Sequence, residues 1–339
     1  MVEDRRTNSE RTPALLIGKG EMEAHFTMGE AIQCMSAAFA GLSSGSSHVP
    51  ERYVADSPDG AVTLLMKPAF SDDLNTSSVK ILSQRNSGPA GDIPTINGIV
   101  LLIDSRTGEL LSVMDGEHIT ALRTGAASGL ATELLSGKES KSMALFGCGA
   151  QGRTQLEAVC TVRDIERVWL FDTSASRARS FREEMRDRVP ATLEIAGDLS
   201  VLREADIICT ATPSSRPLFG PEHIRKGTHI NAVGSFKPSM QELDPGLVRS
   251  ARLYTDDRKS CTEESGDLLQ VIQQFGSLEN QLIGEIGELV LGRIAGRSSP
   301  LEITVFKSVG SAVQDLVVAD TIYRKSREEG FGKAIRLYE

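Results

Sequence analysis

The 339-residue sequence predicts an α/β chain, with a doubly wound parallel sheet following a strand-rich α+β opening segment. Three observations carry this. A glycine turn stands between an apolar run and a helical stretch near the middle of the chain. Beyond it, apolar runs alternate with helical spacing, as crossovers between parallel strands require. Before it, strands follow one another and are joined by turns rather than helices.

Taken in order, Met1 to Thr12 is polar and lacks the apolar core of a secretory signal. Residues 1–13 are expected to form a disordered tail. Thr27-Met-Gly-Glu30 is a capping box that opens a helix through about Ala40, and Gly41 to Ser47 reads as a Gly/Ser loop. Val62–Met66, Val79–Leu82 and Ile99–Ile103 read as strands. Asp104-Ser-Arg-Thr-Gly108 turns the last of them into Leu110–Met114, which predicts a hairpin. A long helix from about Glu117 to Leu135 leads on to the glycine turn.

Ser142–Phe146 is a short apolar run that feeds Gly147-Cys-Gly-Ala-Gln-Gly152, a complete G-x-G-x-x-G. Gln155 to Val162 then has helical spacing, with Leu156, Val159 and Cys160 on one face. Val168–Phe171 is a second apolar run, and it ends in Asp172. Strand, glycine turn, helix, strand and an acid about 20 residues further on make a Rossmann-type dinucleotide site. Gly147 makes the tight turn, Gly149 admits a pyrophosphate, and Gly152 lets helix and strand pack closely. The helix start offers unpaired N–H groups and a partial positive charge to phosphate. Asp172 is placed to accept ribose hydroxyls and to repel a 2′-phosphate, which favours NAD(H). Thr173, Ser174, Arg177 and Arg179 soften that preference and leave NADP(H) open.

The rest alternates. Helix Ala175–Arg188, strand Thr192–Ile195 and a short helix to about Ala205 precede strands Asp206–Ala211 and Thr228–Val233. Strand Leu253–Asp256, a helix to about Gln274, strand Ile303–Phe306 and helix Ser311–Tyr323 complete it. Ligands of such sheets bind beyond the carboxyl ends of the strands. Three small-residue loops fall there: Thr210-Ala211-Thr212-Pro213, Val233-Gly234-Ser235 and Lys307-Ser308-Val309-Gly310. They admit a flat ring, although ordinary strand-to-helix turns need the same residues.

Composition excludes several classes. The net charge of −9, without a basic stripe and with few aromatics, argues against nucleic acid. No apolar run reaches the ~18 residues of a spanning helix, so no membrane is expected. The five cysteines lack any C-x-x-C, as in a cytoplasmic protein with reduced thiols. The histidines show no ligand spacing, so no metal is expected.

For a substrate, isolated charges in apolar settings are informative. Arg52 stands at the entrance to a strand, Lys80 lies inside Val79-Lys-Ile-Leu82, and Arg123 lies in Ile119-Thr-Ala-Leu-Arg-Thr-Gly-Ala-Ala127. Cations in such runs are costly to bury unless paired. Converging, they would make a carboxylate clamp with arginine forks, and Lys80, its pKa lowered, would serve as a proton donor. Pairing with structural carboxylates, or exposure to solvent, is the ordinary alternative for each.

Ile119–Ala127, together with Gly147-Cys-Gly-Ala-Gln151 and Asn231-Ala-Val-Gly234, resembles the ornithine cyclodeaminase/mu-crystallin family from about Leu16 to the final helix. The resemblance implies a homodimer. It implies a substrate and dimerisation domain of residues 14–120 plus 312–339, with a Rossmann domain of residues 121–311 inserted. It implies that Arg52, Lys80 and Arg123 hold a substrate carboxylate and imine. Gly147, Gly149, Ala150, Gln151 and Asp172 would hold the cofactor, with Thr95, Thr212, Val233 and Ser308 nearby.

One position departs from the cyclodeaminases, which carry an aspartate shortly after the Val-Gly turn. Phe236 stands there, with Glu242 and Asp244 further on. A ketimine reduction does not need that base. The resemblance therefore implies NAD(P)H-dependent reduction of a cyclic ketimine carboxylate. Δ1-Pyrroline-2-carboxylate to L-proline is the first substrate to expect, and Δ1-piperideine-2-carboxylate to L-pipecolate the second. Ornithine cyclodeaminase, an alanine or opine-type amino acid dehydrogenase, and a non-catalytic crystallin-like carrier of NAD(P)H are the competing readings.

Overall fold

A computed structural model describes residues 12–86 and 96–337 of the chain. The strands of the opening segment pair as successive neighbours: Val62–Ser71, Thr76–Arg85, Ile96–Asp104 and Leu110–Asp115, all antiparallel. Ser47–His48 and Tyr53–Asp56 both pair with Val62–Ser71. On the opposite flank Ala14–Ile17 runs parallel to Leu110–Asp115, and Lys333–Ile335 closes that edge antiparallel. The chain thus enters this sheet, leaves it, and returns at its end. The expected hairpin forms, with Gly108 N–H donating to the Asp104 carbonyl at 2.8 Å and the Asp104 carboxylate holding the Arg106 and Thr107 amides.

A second sheet is parallel throughout. Its order is Thr192–Ile195, Arg167–Phe171, Ser142–Phe146, Ile207–Thr210, His229–Ala232, Thr304–Lys307, Arg252–Thr255 and Leu282–Glu285. The winding reverses between Ser142–Phe146 and Ile207–Thr210, and the glycine turn sits at that switch point, where a crevice opens. Apolar clusters cover both faces of this sheet, as parallel strands require.

Helix Gly116–Leu135 joins the two sheets. From Ile119 to Thr132 it is small or apolar on every side apart from Arg123, and nearly all of that stretch is buried, which places it inside the protein. Helix Met28–Ser44 packs on it from one direction and helix Ala150–Val162 from another. Helix Ala312–Glu329 lies across the long strands Val62–Ser71 and Thr76–Arg85 and completes that core.

Several expectations need correction. Gly41–Ser44 is the last turn of helix Met28–Ser44, not part of a loop, and Gly45 ends it with a left-handed cap. Small residues there suit close packing, not a turn. A further helix, Lys19–His25, buries Met22 ahead of it. The helix expected to run to Gln274 is two, Arg258–Glu264 and Gly266–Phe275. Helix Ala175–Met185 stops short of Arg188, and the final helix outlasts Tyr323 to reach Glu329. The pair Ser215–Phe219 with Gln241–Leu243, and the strand Leu282–Glu285, were not foreseen. Residues 1–11 of the expected tail lie outside the described residues, and so does Thr95. Among the described residues no helix is long and apolar enough to cross a membrane.

Candidate active site

The glycine turn is shaped by close approaches. Gly147 has φ +100°, and a Cβ there would stand 2.4 Å from the Ala211 carbonyl oxygen. A Cβ on Gly152 would stand 2.1 Å from the Gly147 oxygen, so helix and strand meet only because both are glycine. Gly149 borders open space, and helix Ala150–Val162 begins with no side-chain cap. Its first N–H groups, from Ala150 and Gln151 onward, are left for an anion from outside. This cradle fits a pyrophosphate.

Asp172 has a second task. Its Oδ2 accepts the Cys148 N–H at 3.0 Å and its Oδ1 the Ser174 N–H at 2.8 Å. Arg177 Nη1, on a mostly exposed side chain, lies 3.5 Å from the carboxylate, and Thr173 stands exposed between them in sequence. The acid therefore fixes the glycine turn as well as bordering the expected ribose position.

The three small-residue loops meet at the carboxyl end of the sheet and are pinned by buried acids. Glu242 accepts from Thr210 Oγ1 at 2.8 Å, from Thr212 N–H at 2.6 Å and Oγ1 at 2.8 Å, and from Gly234 N–H at 2.8 Å. That ties Thr210–Ala211–Thr212 to Val233–Gly234. Asp256 accepts from Ser308 Oγ at 2.6 Å and Gly310 N–H at 2.7 Å. Asp267 holds the Glu242 and Leu243 amides on one oxygen and Lys307 Nζ, at 2.9 Å, on the other. Burial pushes the Glu242 carboxyl up from the usual range. Sequence reasoning gave these acids no such role; Asp256 ends an apolar strand as Asp172 does, the one local signal available.

The cations divide into two groups. Lys80 and Arg123 converge on Asp315, at the start of helix Ala312–Glu329. Lys80 Nζ is 2.7 Å from Oδ2 and Arg123 Nε is 3.4 Å from Oδ1, and all three side chains are buried. Lys80 also donates to Thr120 Oγ1 at 3.1 Å, and Arg123 Nη1 to Gln314 Oε1 at 2.9 Å. Burial lowers the Lys80 ammonium to about 7; Asp315 opposes the shift, while Arg123 and Lys67 add to it. Asp315 itself is held below the usual carboxylate range by Lys80 and Arg123, against its burial. Arg52 lies apart from that trio, partly exposed, with Nη1 2.9 Å from Glu264 of helix Arg258–Glu264.

Gly310 joins the cations to the loops. A Cβ there would lie 2.4 Å from Arg123 Nη1, so the guanidinium packs directly on its backbone, and φ is +85°. The Lys80–Asp315–Arg123 trio thus borders the carboxyl end of strand Thr304–Lys307. Phe236 is 44% exposed beyond the Val233–Gly234 turn. Neither acid after it replaces an aspartate: Glu242 is committed as above, and Asp244 caps the helix Pro245–Ser250. Among the described residues no group of three or more His, Cys, Asp or Glu is arranged to hold a metal.

A glycine-cradled parallel sheet with buried cations at its carboxyl ends defines a dinucleotide-dependent enzyme. The chain belongs to the ornithine cyclodeaminase/mu-crystallin family, whose model matches residues 15–330. A Δ1-pyrroline-2-carboxylate reductase of Bacillus cereus is 35% identical over 324 residues, covering 95% of this chain and 99% of that one. The structure of a Thermococcus litoralis Δ1-pyrroline-2-carboxylate reductase in complex with NADH and L-proline is similar at a TM-score of 0.88. It is 35% identical and covers 95% of this chain and all of that one. An archaeal alanine dehydrogenase dimer with bound NAD is similar at a TM-score of 0.86 and 30% identity, covering 96% and 99% of the two chains.

Alanine at Gly310 would meet both a left-handed backbone and the Arg123 guanidinium. Gly310→Ala is expected to cost about 1–2 kcal/mol from the backbone alone, with further loss as Arg123 is pushed off Asp315. Urea unfolding measures it, and an unchanged midpoint would show that the turn tolerates a side chain.

Proposed function

We propose that the protein is an NAD(P)H-dependent ketimine reductase that reduces Δ1-pyrroline-2-carboxylate to L-proline. One observation carries the reading: a buried amine, Lys80, is held beside Arg123 and Asp315 where Arg123 packs on the Gly310 turn of the nucleotide sheet. The two relatives named as Δ1-pyrroline-2-carboxylate reductases, each similar over nearly the whole chain, support the substrate.

In this reading the glycine turn, Ala150 and Gln151 hold the pyrophosphate and Asp172 the adenosine ribose. Thr210–Thr212, Val233–Gly234 and Ser308–Gly310 border the nicotinamide. When bound, that ring supplies the hydride, and the chain supplies position and charge. Arg123 and Arg52 hold the substrate carboxylate; for Arg52 this means leaving Glu264. Lys80 holds a proton at the imine nitrogen, and Asp315 keeps the ammonium charged and aimed. That Glu242 and Asp244, the acids that follow Phe236, are committed to loop and helix caps supports reduction over cyclodeamination.

We also propose that residues 14–120 with 312–339 form the substrate and dimerisation domain, and that residues 121–311 bind the nucleotide. Register places Tyr53, Val62, Leu64, Phe70 and Ile99 on one exposed apolar sheet face, which suits a second copy. Light scattering at the mass of two chains is expected; a single-chain mass would overturn the dimer.

Loss of NADH absorbance with Δ1-pyrroline-2-carboxylate alone is the direct test, with Δ1-piperideine-2-carboxylate beside it. Pyruvate plus ammonia runs in parallel, because the alanine dehydrogenase similarity favours it as the second reading. Turnover only in those wells would replace the proposal.

Lys80→Ala is expected to lower kcat/KM at least about tenfold, on the order of 1.4 kcal/mol. A Lys80 ammonium titrating near 7 is charged below that pH and neutral above it. For a proton donor, kcat/KM should therefore be level on the acid side and fall about tenfold per unit beyond the titration. A profile level through pH 9 would remove Lys80 as donor. Asp172→Ala is expected to raise NADPH use relative to NADH, and an unchanged ratio would separate Asp172 from the ribose.

A further inference from the structure

Lys67 is the cation that the sequence pattern hid. It stands directly opposite Lys80 in the antiparallel pairing of Val62–Ser71 with Thr76–Arg85, so both side chains rise from the same face. Like charges placed this way destabilise a sheet unless an anion lies between them. Asp315 does not serve both, because its two oxygens go to Lys80 and Arg123. Glu264 is engaged by Arg52. The side chain of half-buried Lys67 makes no ion pair or hydrogen bond among the described residues. Its ammonium is held below the ordinary range by burial first and then by Arg123 and Arg52, while Asp315 and Glu264 work the other way.

Lys67, Lys80, Arg123 and Arg52 therefore face two carboxylates, which leaves two positive charges in excess, and Lys67 is the cation with no carboxylate in contact. An amine partly out of water, beside other cations and without a counter-ion, is a site for an anion. We propose that Lys67 binds the substrate carboxylate, sharing it with Arg123, as the first group an incoming anion meets without displacing a protein acid. This deepens the reductase reading and rests on it. It also divides labour between the opposed lysines: Lys67 binds, and Lys80, committed to Asp315, manages the proton.

The test compares wild type with Lys67→Met and Lys67→Arg. Lys67→Met is expected to raise KM for Δ1-pyrroline-2-carboxylate about tenfold or more, with kcat within about threefold and KM for NADH unchanged. Lys67→Arg should recover most of the loss. A group that only supports the fold would move kcat and KM for NADH as well. Removing the Lys67 charge should also shift the alkaline fall of kcat/KM upward, because one cation opposing protonation of Lys80 is gone. Calorimetric titration of the enzyme–NADH complex with pyrrole-2-carboxylate, an inert planar carboxylate, should show the same loss of affinity in Lys67→Met.

Equal KM and equal inhibitor affinity in a variant that still binds NADH would overturn the proposal. If Lys67→Met no longer binds NADH, Lys67→Gln takes its place under the same criteria. If wild type reduces no cyclic imine, the reductase reading fails, and the pyrrole-2-carboxylate titration still decides Lys67. Lower affinity in the variant supports it, and equal affinity overturns it.

Discussion

Asp315 is the group on which the arrangement depends. Three buried charges are taken out of water together, at a desolvation cost that only close geometry offsets. Lys80 arrives on a strand, Arg123 on the helix that joins the two sheets, and Asp315 on the helix that closes the chain. Removing the acid would leave two buried cations unpaired, so three elements are locked in one relative position. The first turn of a helix also favours a carboxylate through its dipole. Gln314 beside it accepts from Arg123 and from its own Ser311 amide, and so joins the cap of that helix to the cation.

The nucleotide side is built on the same plan with the opposite sign. There buried acids hold backbone amides and hydroxyls, and each acid serves more than one loop. Glu242 spans two strand ends, Asp256 fixes the Ser308–Gly310 turn, and Asp267 anchors Glu242's own backbone while pairing with Lys307. Loops held by several charge-assisted bonds are set before a ligand arrives, so their dipoles need little reorganisation.

Much of this was legible in the sequence. The glycine turn announced itself because its spacing is imposed by backbone contact, which any chain making that turn must satisfy. Lys80 and Arg123 stood out because a cation inside an apolar or small-residue run has few explanations. Their partner did not stand out. Asp315 sits in Ala312-Val-Gln-Asp-Leu, an ordinary amphipathic helix start, and its meaning comes from residues far away in sequence. Lys67 was hidden for a related reason: one lysine before a proline on a strand looks like a solvent-facing residue until the register shows what lies opposite. Gly41 to Ser44 misled in another way, since small residues suit a loop and a tightly packed helix equally well, and burial decided for the helix. Ser215–Phe219 and Gln241–Leu243 are too short and mixed to show a strand period.

The return of the chain to its first sheet has a consequence during synthesis. Ala14–Ile17 waits for Lys333–Ile335 to cover its edge, and the strands carrying Lys67 and Lys80 wait for the helix that lies across them. At ~5–20 residues per second, Asp315 leaves the ribosome about 10–40 s after Arg123. Every strand of the parallel sheet has been made by then, so the nucleotide half has all its parts while the cations still lack their acid. The Lys80–Asp315–Arg123 trio is completed only when the final helix is made, and a chain cut short of that helix would keep its glycine turn but have no Asp315 to set Lys80 and Arg123.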